Sequence, residues 1–270
     1  MPELPEVETT RRSLLPELKD RQISKVILRR PDLRWPIPKE IARLLPGQPI
    51  QGLRRRAKYL LLDLEPGSAL LHLGMSGCLR MVPKDFPVGR HDHVDLVLDS
   101  GRALRFTDPR RFGCLLWQPK GELHALLSNL GPEPLASKFT GEVLFEASRG
   151  RSASIKTFLM DQGIVVGVGN IYAVEALFRA GIAPDRAAGS VSRKRYIRLV
   201  QAVKEILTQA IRSGGTTLKD FRHPDGMPGY FKQELAVYGR QGEPCVVCGR
   251  ALHGNRLGNR ATVWCAQCQR

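Results

Sequence analysis

Met1-Pro2-Glu3-Leu4-Pro5-Glu6-Val7-Glu8 opens the chain and sets how the remainder is read. If the initiator methionine is removed, Pro2 presents a secondary amine, and an α-amino group titrates near ~8 rather than the ~10.4 of lysine. A usable fraction is then unprotonated at neutral pH and can attack an electrophilic carbon, giving an iminium ion as a Schiff-base amine does. Glu3 and Glu6 are one turn apart if the segment is helical, which puts both carboxylates on one face beside that amine. An ordinary helix opening explains the same residues, because proline suits the first turn and glutamates there complement the macrodipole. The company this stretch keeps decides between the two.

Working outward, Val7, Leu14 and Leu18 repeat at helical spacing, and Pro16 is expected to bend or end the helix. From Gln22 to about Trp117 short apolar runs alternate with turn signals such as Pro66-Gly67 and Ser100-Gly101, the texture of a β-sandwich or barrel-like domain. Pro38 to Leu45 reads as a short helix within it. Three places carry unusual residues. Lys58 follows the charge run Arg54-Arg55-Arg56, which on its own is a solvated strand edge. His72 and Met75 sit where a strand enters a glycine-bearing turn, although a lone methionine is more often core filler. Asp108-Pro109-Arg110-Arg111-Phe112-Gly113 reads as an exposed turn whose planar and apolar side chains could be pushed between base pairs; a plain turn with a solvated arginine pair fits as well.

Past Gly121 the period lengthens. Leu123, Leu126, Leu127 and Leu130 suggest a helix stopped by Gly131-Pro132. In Gly163-Ile164-Val165-Val166-Gly167-Val168-Gly169-Asn170-Ile171-Tyr172, three glycines precede a helix over Asn170 to Ala180, with Asn170 in the place of a cap whose amides can also bind phosphate. A tight helix-helix connection explains the glycines too. Ser192 to Arg212 reads as a long helix burying Ile197, Val200, Val203, Ile206, Leu207 and Ala210. A glycine-rich polar loop follows, holding Lys219 and Pro224-Asp225-Gly226-Met227-Pro228-Gly229, of the kind kept for binding. The strongest local signal is Cys245-x-x-Cys248, sixteen residues, then Cys265-x-x-Cys268. Two thiolate pairs at this spacing make a tetrahedral structural zinc site, with iron the less suitable ion, and Arg260 near the tip of the intervening hairpin could reach a phosphate.

The bulk properties agree. The chain has 270 residues, enough for two modest domains, and 42 Lys and Arg against 26 Asp and Glu leave a net charge of +16. That balance, with a pI near 10.1, points to a polyanionic partner such as nucleic acid. A basic membrane-surface protein competes, but the sequence has neither a long basic amphipathic helix nor a lipidation motif. With no signal peptide and no run of about 18 apolar residues, a soluble, cytoplasmic protein is expected. Four of the six cysteines fall in the terminal cluster and Cys78 and Cys114 stand alone, which argues against a disulfide framework.

Taken in order, the Pro-Glu-Leu-Pro-Glu-Val-Glu-Thr terminus, the Asp-Pro-Arg-Arg-Phe-Gly turn, Gly167-Val168-Gly169-Asn170-Ile171-Tyr172-Ala173 and the paired cysteines resemble the bacterial formamidopyrimidine-DNA glycosylase family from end to end. Val174 and Val263-Trp264 are slight departures from its pattern. The resemblance implies an α+β fold: an N-terminal β-sandwich with flanking helices (1–120), a connection (121–150), a helix-two-turns-helix DNA-binding domain (151–236) and a zinc finger (237–270) holding one structural zinc on Cys245, Cys248, Cys265 and Cys268. It implies removal of oxidised purines from damaged double-stranded DNA lying in an interdomain cleft, by a monomer in the bacterial cytoplasm with no membrane role. Pro2 would be the nucleophile, Glu3 and Lys58 catalytic, and Glu6 and Glu175 active-site support. His72, His91, Arg110, Arg111, Asn170, Lys219 and Arg260 would contact DNA, while Met75, Arg110 and Phe112 fill the gap left by the extruded base. Endonuclease VIII relatives share the scaffold but take oxidised pyrimidines; the wording around Leu4-Pro5-Glu6-Val7 and the loop around Lys219 favour the purine enzyme. A non-catalytic damage-sensing module is the remaining alternative, and intact Pro2, Glu3 and Lys58 argue against it.

Overall fold

The leucine-rich runs of the first half become strands as short continuous apolar stretches bounded by turns, buried at consecutive positions and so on both faces. In the computed structural model, which describes residues 2–215 and 235–270, the first half contains α1 (Leu4–Leu18), β1 (Ile23–Leu28), α2 (Ile41–Leu44), β2 (Gly52–Arg56), β3 (Tyr59–Leu64), β4 (Gly67–His72), β5 (Cys78–Pro83), β6 (Asp92–Leu98), β7 (Arg102–Thr107), β8 (Cys114–Pro119) and the single turn α3 (Ala125–Ser128). The strands form two antiparallel sheets, ordered β1-β6-β7-β5 and β2-β3-β4-β8. Leu60, Leu62 and Leu64 of β3 and Ala69 and Leu71 of β4 share one core with Leu79, Met81, Leu96, Leu104 and Phe106 of the other sheet. The expected β-sandwich is present, with α1 flanking it.

Helix α1 closes this core with Val7, Leu14 and Leu18. Pro16 lies in the last turn, and the helix ends two residues later at Leu18, where Lys19 N–H caps the Leu15 carbonyl at 3.0 Å. The missing donor falls in the last turn, where buried Leu14 and Leu18 hold the backbone. The outer side of α1 is tied to β2 through Glu8, which accepts Arg11 (2.8 Å), Arg12 (2.8 Å) and Arg55 (3.1 Å). Burial raises the Glu8 carboxyl, but hydrogen bonds from Arg11 and Arg12 and the charges of Arg11 and Arg55 outweigh it and hold the group at about 2.

The structure divides into two compact units, one of residues 2–128 with Ser213–Gly215 and one of Asn129–Arg212 with residues 235–270. The second contains α4 (Gly141–Ser148), α5 (Ile155–Met160), α6 (Asn170–Ala180), α7 (Arg193–Arg212) and the hairpin β9 (His253–Leu257) and β10 (Arg260–Trp264). Thr140 and Ser154 cap α4 and α5 by accepting Val143 and Thr157 amides, and left-handed Gly181 ends α6. Two local readings need correction. The Leu123 to Leu130 helix is only the turn α3, and Leu123 is 65% exposed. On α7 the buried stripe is Tyr196, Leu199, Val200, Val203, Ile206, Leu207 and Ala210, whereas Ile197 is 45% exposed. Tyr196 takes its place because the Tyr196 hydroxyl can donate to the Ala188 carbonyl (2.9 Å) while its ring meets Phe145 and Phe158. Among the described residues no helix is long and apolar enough to cross a membrane.

Candidate active site and nucleic-acid interface

Glu3 precedes α1 as its N-cap and Glu6 occupies the third helical position, and the two exchange hydrogen bonds in a capping box. Glu6 Oε2 accepts the Glu3 amide at 2.8 Å. Both side chains are buried, at 3% and 0% exposure, and Pro2 is buried with them. The box is more than a cap here, because it ties Glu3, the residue next to Pro2, to a second buried carboxylate one turn on. Gly215 completes the floor: a Cβ added there would meet Glu6 Cγ at 3.3 Å, and its φ of +84° already favours glycine. Nothing in the sequence pattern linked Gly215 to Glu6. Lys219 lies outside the described residues.

Lys58 is set at the two-residue turn between β2 and β3, where Arg56 pairs Tyr59. The first turn residue, Ala57, has a φ of +53°. A left-handed alanine costs of order 1–3 kcal/mol, and burial of Ala57 at 1% exposure together with the Arg55 guanidinium on its carbonyl (2.9 Å) holds it there. Since Arg55 also binds Glu8 of α1, the helix that carries Glu3 and Glu6 and the turn that carries Lys58 are braced by one ion cluster. His72 ends β4 opposite Tyr59, with ring centroids 4.8 Å apart. Burial, then the charges of Lys58 and Arg34, lower the imidazole to about 4, so it is neutral at physiological pH. Its Nδ1 accepts the Gly74 amide at 2.9 Å. A neutral ring accepting at Nδ1 carries its proton on Nε2, the form that can donate to a phosphate oxygen.

The residues chosen as wedges come together on two adjoining turns. Gly74 packs against Phe112 and Gly113 so tightly that a Cβ would lie 2.4 Å from the Gly113 nitrogen. Met75 and Phe112 flank that contact, 36% and 44% exposed, and the Arg110 guanidinium stands 4.9 Å over the Phe112 ring. Asp108 builds the platform. Wholly buried, it accepts the Ser76 hydroxyl (2.7 Å) and the Gly113 amide (2.8 Å), while its carbonyl meets His93 Nε2 at 2.8 Å. Arg111 takes the left-handed position of the turn, φ +57°, and His91 holds the turn's start by accepting the Asp108 amide through its carbonyl at 3.0 Å. Sequence reading missed Asp108, Ser76 and His93; an aspartate before proline at a turn start was the available signal.

In the second unit the glycine-rich turn is stapled by Gln162, whose side chain donates to Val168 O (3.3 Å) and accepts Gly167 N–H (2.9 Å). It delivers Asn170 to the start of α6, but Gly169 rather than Asn170 is the N-cap. The Asn170 amide instead donates to the Ala261 carbonyl at 3.0 Å, because a residue already inside the helix points its side chain at the neighbouring hairpin. Gly258 and Asn259, with φ of +57° and +59°, form the type I′ turn between β9 and β10, and exposed Arg260 follows. Glu175, 7% exposed, accepts three consecutive amides, Ala236 (3.0 Å), Val237 (2.9 Å) and Tyr238 (2.8 Å). Its structural work is to anchor the chain where it enters the cysteine-rich segment.

The four thiols Cys245, Cys248, Cys265 and Cys268 lie within 4.8 Å of one another. Cys245 and Cys268 sulfurs are 3.9 Å apart and those of Cys248 and Cys265 3.5 Å. A tetrahedron with Zn–S bonds of ~2.3 Å has edges of about 3.8 Å, so the donors fit zinc, and they are too far apart for disulfides. Four thiolates leave no open coordination position, making the ion a structural clip. Val174, Val237, Leu252 and Val263 pack around Cys245 and Cys265, which gives the two valine departures a shared role in sealing the clip against α6. Metal analysis is expected to find one zinc per chain, and Cys265→Ser to lower zinc content and DNA affinity together; iron in its place, or no stoichiometric metal, would overturn the zinc assignment.

A sandwich with a buried N-terminal cap, a helical unit and a thiolate-clipped hairpin defines a two-unit zinc-finger protein, and comparison with known proteins sharpens this. Residues 1–115 match the formamidopyrimidine-DNA glycosylase N-terminal domain, 130–222 the helix-two-turns-helix domain of the same enzymes, and 242–270 the zinc finger found in them and in isoleucyl-tRNA synthetase. Relatives called formamidopyrimidine-DNA glycosylase are 68% identical over 270 residues in Stenotrophomonas maltophilia K279a and 65% over 271 in Xanthomonas campestris B100, covering all of both chains. The crystal structure of MutM (Fpg) from Thermus thermophilus aligns at TM-score 0.89 and 41% identity, covering 99% of this chain and 98% of that one. A Lactococcus lactis Fpg complexed with abasic-site DNA aligns at 0.91 and 31%, covering 99% of each. The chain belongs to the formamidopyrimidine-DNA glycosylase family, whose members are glycosylases with abasic-site lyase activity.

Proposed function

We propose that the chain excises oxidised purines, 8-oxoguanine and formamidopyrimidines, from duplex DNA and then cuts the abasic strand, acting as a monomer in the bacterial cytoplasm. A damaged base inside a duplex is out of reach of an N-terminal amine, so the nucleotide must be extruded at a cost of a few kcal/mol. Met75, Arg110 and Phe112 offset that cost by filling the vacated stack, and Lys58, His72, His91, Arg111, Asn170 and Arg260 by gripping DNA, chiefly at its phosphates. The Pro2 nitrogen forms a bond to the sugar C1′ as the glycosidic bond breaks, and the base leaves with a proton. Glu3 serves as the acid-base group. Ring opening leaves a cationic iminium at C1′, its nitrogen bearing no proton, which acidifies C2′–H; loss of that C2′ proton expels the 3′ phosphate, and a second elimination expels the 5′ phosphate. Lys58 assists as a proton carrier, Glu6 keeps Glu3 and Pro2 in register, and Glu175 serves as active-site support.

The Glu3–Glu6 capping box at a buried Pro2 carries this reading, because it supplies nucleophile and acid-base group in one rigid place. Duplexes carrying 8-oxoguanine or oxidised thymine separate it from its rival. Nicking of the 8-oxoguanine strand with little action on oxidised thymine is expected; the reverse preference would assign the chain to the pyrimidine-removing relatives.

A further inference from the structure

Lys156 of α5 is a lysine that the proposed chemistry does not use. At 1% exposure it cannot reach a substrate, yet its ammonium is fully engaged: Nζ donates to Thr262 Oγ1 at 2.7 Å and lies 3.3 Å from the Ala261 carbonyl and 3.4 Å from the Arg260 carbonyl. Three N–H donors thus meet three oxygens on successive residues of one strand. The Thr262 hydroxyl passes its own proton to the Arg260 carbonyl at 3.1 Å, and Asn170 holds Ala261 from the helix side. Next to Lys156, Thr157 backs the hairpin tip, where a Cβ on Gly258 would touch its Oγ1 at 3.4 Å. A buried cation is costly unless it is fully hydrogen-bonded. Spending one on three consecutive backbone-proximal acceptors makes sense only if the exact path of that strand matters.

We infer that Lys156 is a positioning residue for Arg260: by clamping the backbone of Arg260–Thr262 from α5, it fixes the base of the exposed guanidinium arm so that the arm meets a DNA phosphate without first being ordered. The gain is preorganisation, since an arm held at its root loses less entropy on binding. This rests on the proposal that Arg260 contacts a phosphate. The clamp is also proton-sensitive, because burial and then the Arg260 charge lower the ammonium to about 8, while Asn170 and Thr262, the side chains facing it from α6 and β10, carry no charge. Below that pH three donors are present; above it the neutral amine keeps two and loses the charge.

The test is a binding cycle on undamaged duplex across a salt series, using wild type, Arg260→Ala, Lys156→Met and the double variant of the full-length protein, each verified for zinc content. Losing one phosphate contact makes the log-log salt slope shallower by roughly one unit, and that is expected of Arg260→Ala. Lys156→Met is expected to weaken binding roughly fivefold and shift the slope the same way by less than one unit, and to add nothing once Arg260 is gone. If Lys156→Met loses zinc, Thr262→Val removes one acceptor at constant shape and must show a smaller loss that also vanishes beside Arg260→Ala. Wild-type affinity relative to Arg260→Ala should decline as pH rises through about 8, and that of Lys156→Met relative to the double variant should not. Losses that add in the double variant, or a Lys156→Met slope equal to wild type, would overturn the clamp. An Arg260→Ala slope equal to wild type would instead remove the Arg260 phosphate contact itself.

Discussion

Borohydride added during turnover of an 8-oxoguanine duplex is expected to trap a covalent protein–DNA adduct whose peptide maps to Pro2. Reduction turns the iminium into a stable amine, so the adduct records which nitrogen formed the bond. Keeping Met1 in place converts that nitrogen into an amide and should suppress trapping altogether. Pro2→Gly keeps an α-amine but loses the ring that holds it beside the capping box, and should slow trapping steeply. Glu3→Gln is expected to cut base release by about 10²- to 10⁴-fold, the usual contribution of a positioned acid-base group, while a pre-formed abasic site is still processed because its base has already left. The rival nucleophile is Lys58, also buried and held on the strained Ala57 turn. An adduct mapped to Lys58 with Pro2 unmodified would defeat the terminal-amine mechanism and leave the family membership untouched.

What the sequence made legible was whatever depends on local spacing. Glu3 and Glu6 one turn apart, two Cys-x-x-Cys pairs, and short apolar runs set between turn signals each fix their own geometry, so capping box, thiolate cluster and sandwich follow directly. The contacts it hid are those between residues far apart in the chain whose partners are backbone atoms. Glu175 could be placed near a functional region, but its three amide partners at Ala236–Tyr238 have no side-chain signature. The same holds for Lys156 on the Arg260 and Ala261 carbonyls, and for Gly215 against Glu6. Asn170 shows the intermediate case: its position at a helix start was readable, but one residue's shift along the helix changed its task from capping to bridging. Ile197 failed for a related reason, since helical periodicity marks a stripe but cannot say which of two adjacent large residues, Tyr196 or Ile197, centres it.

Arg105→Met is expected to be the most destabilising single change in the sandwich. Arg105 is 0% exposed and spends all five of its N–H donors: Nε and Nη2 bind both oxygens of Asp95 at 2.9 Å, Nη1 binds Pro87 O (2.9 Å) and Asp92 (3.3 Å), and Nη2 also reaches Phe86 O (3.2 Å). It therefore pins the 86–89 loop to β6 and β7. Asp92 in turn binds the Thr107 hydroxyl and the Gly89 amide, one residue from Asp108 and the wedge turn. Methionine fills the space but takes the fully buried cation from two carboxylates, leaving Asp95 to Arg29 (2.6 Å) and Asp92 to Arg80 (3.4 Å), a loss of up to about 3–5 kcal/mol. For a unit of this size that lowers Tm by roughly 10 °C. The pH dependence identifies the cause. Burial raises the Asp92 and Asp95 carboxyls, but hydrogen bonds, led by Thr107 on Asp92 and Arg105 on Asp95, with the arginine charges, hold both below the ordinary value of 3.8. Groups so depressed contribute stability that is present above that value and is lost as pH falls below it toward their folded-state pKa. The gap in Tm between wild type and Arg105→Met should accordingly be widest near neutrality and narrow as pH drops below about 4. Adding Asp95→Asn to Arg105→Met should restore part of the loss, because it removes a buried carboxylate that keeps only the partly exposed Arg29 as its counter-charge. A Tm change within about 1 °C, or a gap that stays constant with pH, would mean that this network contributes shape and not charge pairing to the sandwich.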